Sequence, residues 1–208
     1  MSARLAPGPG APPVILASQS RARRALLEAA GVAHVVEPAR VDEDEVKRAM
    51  HADGAPAAAI AERLAETKAL RVSLRRPAAL VIGCDQMLEC GARDFDKPAD
   101  RAAAAAQLAA LAGRTHRLVS AAVVAQGGVR IWHAVDAASL TMRALSAEFI
   151  DAYLDAAGDA ALASVGAYQL EGLGAQLFAR VEGDYFTVLG LPLLPLLEFL
   201  RARGVLRR

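Results

Sequence analysis

An apolar tetrad, Val14–Ala17, turns within three residues into a helix start, and no other stretch constrains the fold as much. Four apolar residues in a row need cover on both faces, and a strand inside a parallel sheet gets that cover from helices above and below it. Ser20 is suited to cap the helix that follows, and Ala22, Leu26, Ala29 and Ala30 recur at helical spacing across Arg21–Ala30. A second apolar run, Ala78–Gly83, has the same character and stops at Cys84 and Asp85. Between the two runs, Pro56–Arg71 carries a narrow helical stripe of Ile60, Ala61, Leu64 and Ala65. Strand, helix, helix, strand in this order predicts an α/β fold.

The rest of the chain modifies that expectation. His34–Val36 reads as a short strand, and Val41–Met50 as a helical segment with an acidic entry at Asp42, Glu43, Asp44 and Glu45. Gly91–Pro98 reads as a loop, and Asp100–Ala112 as an alanine-rich helix with Asp100 as cap and Gly113 as stop. His116–Ala125 and Val129–Met142 read as strands about a Gln126–Gly127–Gly128 turn. Ser146 opens a helix through Leu154, Val165–Gly174 and Gln176–Val181 read as further strand, and Val188–Leu200 as a buried C-terminal helix. A hairpin late in the chain makes the sheet mixed rather than doubly wound and parallel. The segment 1–13, rich in Ala, Pro and Gly without an apolar h-region, is expected to be a disordered lead-in rather than a signal peptide or anchor. Residues 14–208 are then one domain of two intimate lobes.

Charge and cysteine narrow the function classes. Basic and acidic residues number 24 and 23, so nothing favours a nucleic-acid or membrane surface as partner. The two cysteines, Cys84 and Cys90, lack zinc-site spacing and read as reduced structural thiols of a cytoplasmic protein. Neither GxGxxG, a P-loop, GxSxG nor HExxH occurs.

Chemistry is concentrated at a few positions. A helix start bears a partial positive charge and unpaired N–H groups, yet Arg21, Arg23 and Arg24 crowd this one beside the hydroxyls of Ser18 and Ser20. An anion such as phosphate would relieve the repulsion; arginines splayed into water would do so too. Asp85 ends a buried apolar run, where an unpaired carboxylate would cost several kcal/mol, so it needs a metal, a cation or water. Lys68 continues the apolar stripe four residues past Leu64, either snorkelling or aimed into a cleft. Asp42, Glu43 and Asp85 set against Arg23, Lys68 and Lys97 suit a metal-bound polyphosphate, with carboxylates for Mg²⁺ or Mn²⁺ and cations for phosphate oxygens.

These residues fall in motifs that resemble one family. LASQSRARRALLEAAG at 16–31, VDE at 41–43, ERLAETKA at 62–69, GCDQ at 83–86, KP at 97–98, GAYQLEGLGA at 166–175 and GDYFTVLGLPL at 183–193 resemble, in order, the Maf family of nucleoside triphosphate pyrophosphatases. The resemblance implies an elongated mixed sheet flanked by helices with a central cleft, like that of inosine triphosphate pyrophosphatases. It implies hydrolysis of a nucleoside triphosphate to the monophosphate and pyrophosphate with a divalent metal cation, Mg or Mn, in a cytoplasmic protein that forms a homodimer. Carried over by motif, Ser18, Arg23, Lys68 and Lys97 would bind phosphate, Glu43 and Asp85 metal, and Asp85 would accept the proton of the attacking water. Gln86 and Glu171 resemble the 7-methyl-GTP-type subgroup, in which a carboxylate at Glu171 would read guanine or balance its methylated ring. Ala22 stands where that subgroup has tryptophan, while Tyr168 and His116 match the dTTP/UTP type. The changes at Ala22 and Ser164 motivate a second expectation, a nucleotide-binding regulator of cell division with weak catalysis.

Overall fold

Strands β1 (Val14–Leu16), β2 (Val35–Val36), β3 (Leu80–Cys90), β4 (Arg93–Phe95), β5 (Thr115–Gln126), β6 (Val129–Met142) and β7 (Phe178–Glu182) make one sheet in a computed structural model that describes residues 10–207. The order is β2-β1-β3-β5-β6-β7, with β4 paired to β3 off that path. β1 runs parallel to β2 and β3, whereas β4 is antiparallel to β3 and β7 to β6. The sheet is therefore mixed, and the α/β architecture expected from the sequence holds. Seven α-helices accompany it among the described residues: α1 (Arg21–Ala29), α2 (Glu43–Ala52), α3 (Ala57–Ser73), α4 (Arg101–Leu111), α5 (Ala147–Ala157), α6 (Tyr185–Val188) and α7 (Leu193–Ala202). None is long and apolar enough to cross a membrane. Of the lead-in expected over 1–13, residues 1–9 lie outside the described ones, and the Pro13 carbonyl accepts the Leu80 amide at 2.9 Å.

The chain divides into two compact units. The first comprises residues up to Gln86, Ser120–Asp136 and the chain from Gly190 onward. In it, β1 is buried throughout, as its unbroken apolar run requires. Gly83 brings α3 onto β3: a Cβ there would strike the Ala65 carbonyl and sit 2.7 Å from the Ala69 amide nitrogen. Val81, two residues earlier and on the same strand face, packs with Val72 of α3. The turn from β5 to β6 has Gly127 and Gly128 at φ 58° and 81°, the left-handed pair that a two-residue hairpin needs. Pro195 is tolerated in the first turn of α7, where amide donors have no helical partner, and Leu193, Leu196 and Leu200 are buried.

The second unit comprises Met87–Val119 and Ala137–Leu189. Asp100 and Ser146 cap α4 and α5 as expected, accepting the amides of Ala103 and Phe149. Leu88, Phe95, Leu108, Leu111, Leu140 and Met142 are among its core residues.

Four expectations are corrected. The run Ala78–Gly83 is the start of a strand that continues to Cys90, so Asp85 sits within β3 rather than beyond its end. The supposed loop 91–98 contains β4. Residues 165–174 are not strand: Val165–Ala167 and Leu173–Leu177 are short 3-10 turns, because Gly166 takes φ 76° and Ala167 φ 62°. In α1 the buried pair is Leu26 and Leu27, while Ala29 is exposed.

Candidate active site

Lys68 and Asp85 are the buried charges around which the first unit's polar cluster is built, 7% and 5% exposed. Strand alternation points Asp85 to the same face as Gly83, toward α3. Lys68 lies between Ala65 and Ala69, whose backbone Gly83 lets in, so the close approach of helix and strand delivers the ammonium to the carboxylate. Lys68 Nζ donates to Asp85 Oδ1 at 2.6 Å and is paired with Glu43 Oε1 at 2.8 Å. Glu43 arrives from the first turn of α2, whose N-cap Asp42 accepts the Glu45 amide at 3.0 Å. A charge can thus stand in mid-strand because a cation from the facing helix satisfies it. Asp85 Oδ2 has no hydrogen-bond partner among the described residues.

The arginine-rich helix start is resolved within the protein. Arg24 pairs with Glu28 at 2.8 Å on the exposed face, and Arg21 is exposed. Arg23 turns inward, its Nε donating to the Gly190 carbonyl at 2.7 Å. Its Nη1 donates to the Cys84 carbonyl at 3.1 Å and to Ser18 Oγ at 3.3 Å. Nη2 has no hydrogen-bond partner among the described residues, so its two N–H groups can serve another ligand, since a guanidinium has five donors. Gly190 takes φ 92°, and a Cβ there would lie 3.1 Å from Arg23 Nε, so glycine suits the position twice over. Ser18 Oγ also accepts the Ser20 amide at 3.2 Å, which leaves the hydroxyl proton to donate outward. Ser20 caps α1 by accepting the Arg23 amide at 3.3 Å.

Electrostatically the cluster is balanced. Glu43, Lys68 and Asp85 together carry one net negative charge, and Arg23 offsets it. Among the described residues no three His, Cys, Asp or Glu side chains converge as a metal cage. Two carboxylates converging on one ammonium nevertheless fit a Mg²⁺-type ion that takes its other ligands from phosphate and water. Cys84, beside them, is not a nucleophile: burial pushes its thiol up to about 11, and Asp85 adds to this while Arg23 and Lys68 oppose it. Cys84 and Cys90 are both free, and six strand residues, about 20 Å, separate them.

The other candidate residues are placed as follows. Gln86 alternates to the opposite strand face from Asp85, and its Nε2 donates to Ser120 Oγ at 2.9 Å. Ala22 is half-buried in the first turn of α1. Lys97 and Glu171 belong to the second unit and are exposed. So the structure brings Ser18, Arg23, Glu43, Lys68 and Asp85 together in one unit. The anchoring carbonyl of Gly190 and the clearance at Gly83 were not anticipated, because neither residue has a side chain to announce it.

A family profile described as Maf-like protein matches residues 13–203. The chain belongs to the Maf-like family. A relative from Paramagnetospirillum magneticum, named nucleoside triphosphate pyrophosphatase, is 59% identical over 192 residues, covering 92% of this chain and 99% of the relative. Proteins of the same name from Nitrobacter hamburgensis and Hyphomonas neptunium are 54% and 55% identical, each over 93% of this chain and 95% and 97% of the relatives. The Maf-like match thus includes every residue of the Ser18–Arg23–Glu43–Lys68–Asp85 cluster.

Proposed function

We propose that this Maf-like chain is a nucleoside triphosphate pyrophosphatase, cleaving its substrate between the α and β phosphates to give the monophosphate and pyrophosphate. The observation that carries this reading is the buried Lys68–Asp85 pair, joined by the more exposed Glu43, beside the inward-turned Arg23. The names of the relatives agree with it. A divalent cation would be held by Asp85 and Glu43 with phosphate oxygens, and when bound it neutralises the triphosphate and acidifies water. Arg23 uses its Nη2 donors, Lys68 its third N–H, and Ser18 its hydroxyl proton to bind phosphate oxygens. Asp85 receives the proton of the attacking water on Oδ2, the oxygen without a partner among the described residues.

Within this activity we place 7-methyl-GTP ahead of dTTP and UTP. The support is chemical: a carboxylate at Glu171 complements a guanine edge and the positive charge of its methylated ring, whereas a uracil or thymine ring offers neither. Pyrophosphate release from 7-methyl-GTP, GTP, dTTP, UTP and CTP with Mg²⁺ or Mn²⁺ tests both levels. Release of phosphate in place of pyrophosphate would place the cut at a different bond. Asp85→Asn keeps an acceptor for Lys68 and should lower turnover by about 10³-fold with the fold intact. Unchanged turnover in that variant would remove Asp85 from the reaction. Tight nucleotide binding without product across the panel would instead favour a regulator.

A further inference from the structure

His116, in the second unit, is a buried polar residue that the proposed chemistry leaves unused, only 1% exposed on β5. Its Nε2 shares a 2.7 Å hydrogen bond with Tyr168 Oη, and its Nδ1 has no partner among the described residues. Its ring also meets both ends of the glycine-rich segment that carries Glu171. Tyr168, at the entry, lies 5.6 Å away between ring centroids, and Phe178, at the exit, 5.9 Å. Tyr168 and Phe178 pack edge to face at 4.8 Å. One residue before Tyr168, Ala167 holds the left-handed φ of 62°, and its carbonyl accepts the Tyr153 hydroxyl at 3.1 Å. Gly166 admits this bend, since a Cβ there would sit 2.6 Å from Leu88 Cδ1. Beyond Tyr168 the loop folds on itself: the Gly172 amide donates to the Gln169 carbonyl at 3.2 Å, and a Cβ on Gly174 would lie 2.8 Å from the Gln169 nitrogen.

We propose that His116 and Tyr153 are positioning residues for base recognition, holding Tyr168 and Ala167 so that the 169–174 loop presents Glu171 in one fixed geometry. This rests on the reading of Glu171 as the base-sensing carboxylate. A left-handed non-glycine residue persists only where its surroundings over-determine it. Here two buried tyrosine hydroxyls and an imidazole do so at consecutive residues. Burial also pushes the His116 pKa down to about 4, so the ring is neutral and its hydrogen bond does not change near neutral pH.

Tyr168→Phe and Tyr153→Phe each remove one hydroxyl and keep the ring packing. Pyrophosphate release measured with 7-methyl-GTP and dTTP should show the ratio of their kcat/KM values moving by about fivefold or more in each variant. The movement should match the direction of Glu171→Gln and add little to it in the double variant. Hydrogen exchange at amides 169–174 should speed by about tenfold, with α3 unchanged. Faster exchange with an unchanged ratio would make the two tyrosines merely structural, and unchanged exchange would show that they do not hold the loop; either overturns the proposal. A ratio insensitive to Glu171→Gln would instead refute the reading of Glu171 and take the specificity role with it, while the exchange data still decide whether the loop is held.

Discussion

Gly83→Ala isolates the packing that sets the candidate site. The added Cβ would run into the Ala65 carbonyl and stand 2.7 Å from the Ala69 nitrogen, both backbone atoms of α3 that no rotamer change can move. Ordinary contact begins near 3.4 Å, so the Ala69 nitrogen alone requires α3 to retreat by about 0.7 Å, and the Ala65 carbonyl requires more. Overpacking of this kind costs about 3 kcal/mol, at the upper end of its usual range because backbone is struck. For a chain of this length that lowers Tm by about 6–12 °C. The same retreat lengthens the 2.6 Å contact from Lys68 to Asp85, since Lys68 lies between the two residues displaced. Misplacement by an ångström at a reacting centre costs about 10²-fold in rate, so kcat should fall by about tenfold or more in the surviving folded protein. Urea unfolding and pyrophosphate release at matched folded fraction read the two effects separately. A variant that kept its Tm within about 1 °C and its kcat within about twofold would refute the argument that Gly83 sets the height of α3.

Two further changes probe separate parts of the structure. Arg24→Ala removes a pair whose side chains are 61% and 53% exposed, so stability should barely change in urea titrations and turnover not at all. Arg23→Lys keeps the charge but gives up the fork that spans Gly190, Cys84 and Ser18, and should raise KM and lower kcat despite its conservative chemistry. Equal kinetics for the two variants would contradict the assignment. Acid stability follows from His116, whose pKa burial depresses from 6.5 to about 4. Between those values the unfolded chain takes a proton that the folded one refuses, so stability falls as pH drops from 6.5 toward 4 and levels off below. The contribution amounts to about 3 kcal/mol. His116→Phe should flatten that part of the curve in denaturant titrations at pH 7, 5.5 and 4, though it costs stability at pH 7 by stranding the Tyr168 hydroxyl. An unaltered acid slope would show that His116 is not its source.

What could be read from the sequence was charge out of place. Lys68 stood out because it continues an apolar stripe, and Asp85 because it interrupts an apolar run; both are buried, and they are partners. Reading Asp85 as a strand end failed for the same reason that made it conspicuous: a lone sequence position does not show the cation seventeen residues away that lets β3 continue. The Arg21–Arg24 cluster was visible as self-repulsion, but its relief by a carbonyl 167 residues distant was not. Residues 165–174 read as strand because their apolar spacing fits one, while the positive φ values at Gly166 and Ala167 that break it leave no trace in hydrophobic pattern.

The common thread is that side-chain chemistry identifies which groups carry charge, while glycines decide which of them meet. Gly83 admits the helix that carries Lys68, and Gly190 admits a carbonyl to Arg23. Each cation of the cluster is therefore aimed by a residue with no functional group of its own. It follows that alanine at either glycine should damage the site while every charged residue stays in place, whereas removing an exposed charge such as Arg24 should leave the site intact.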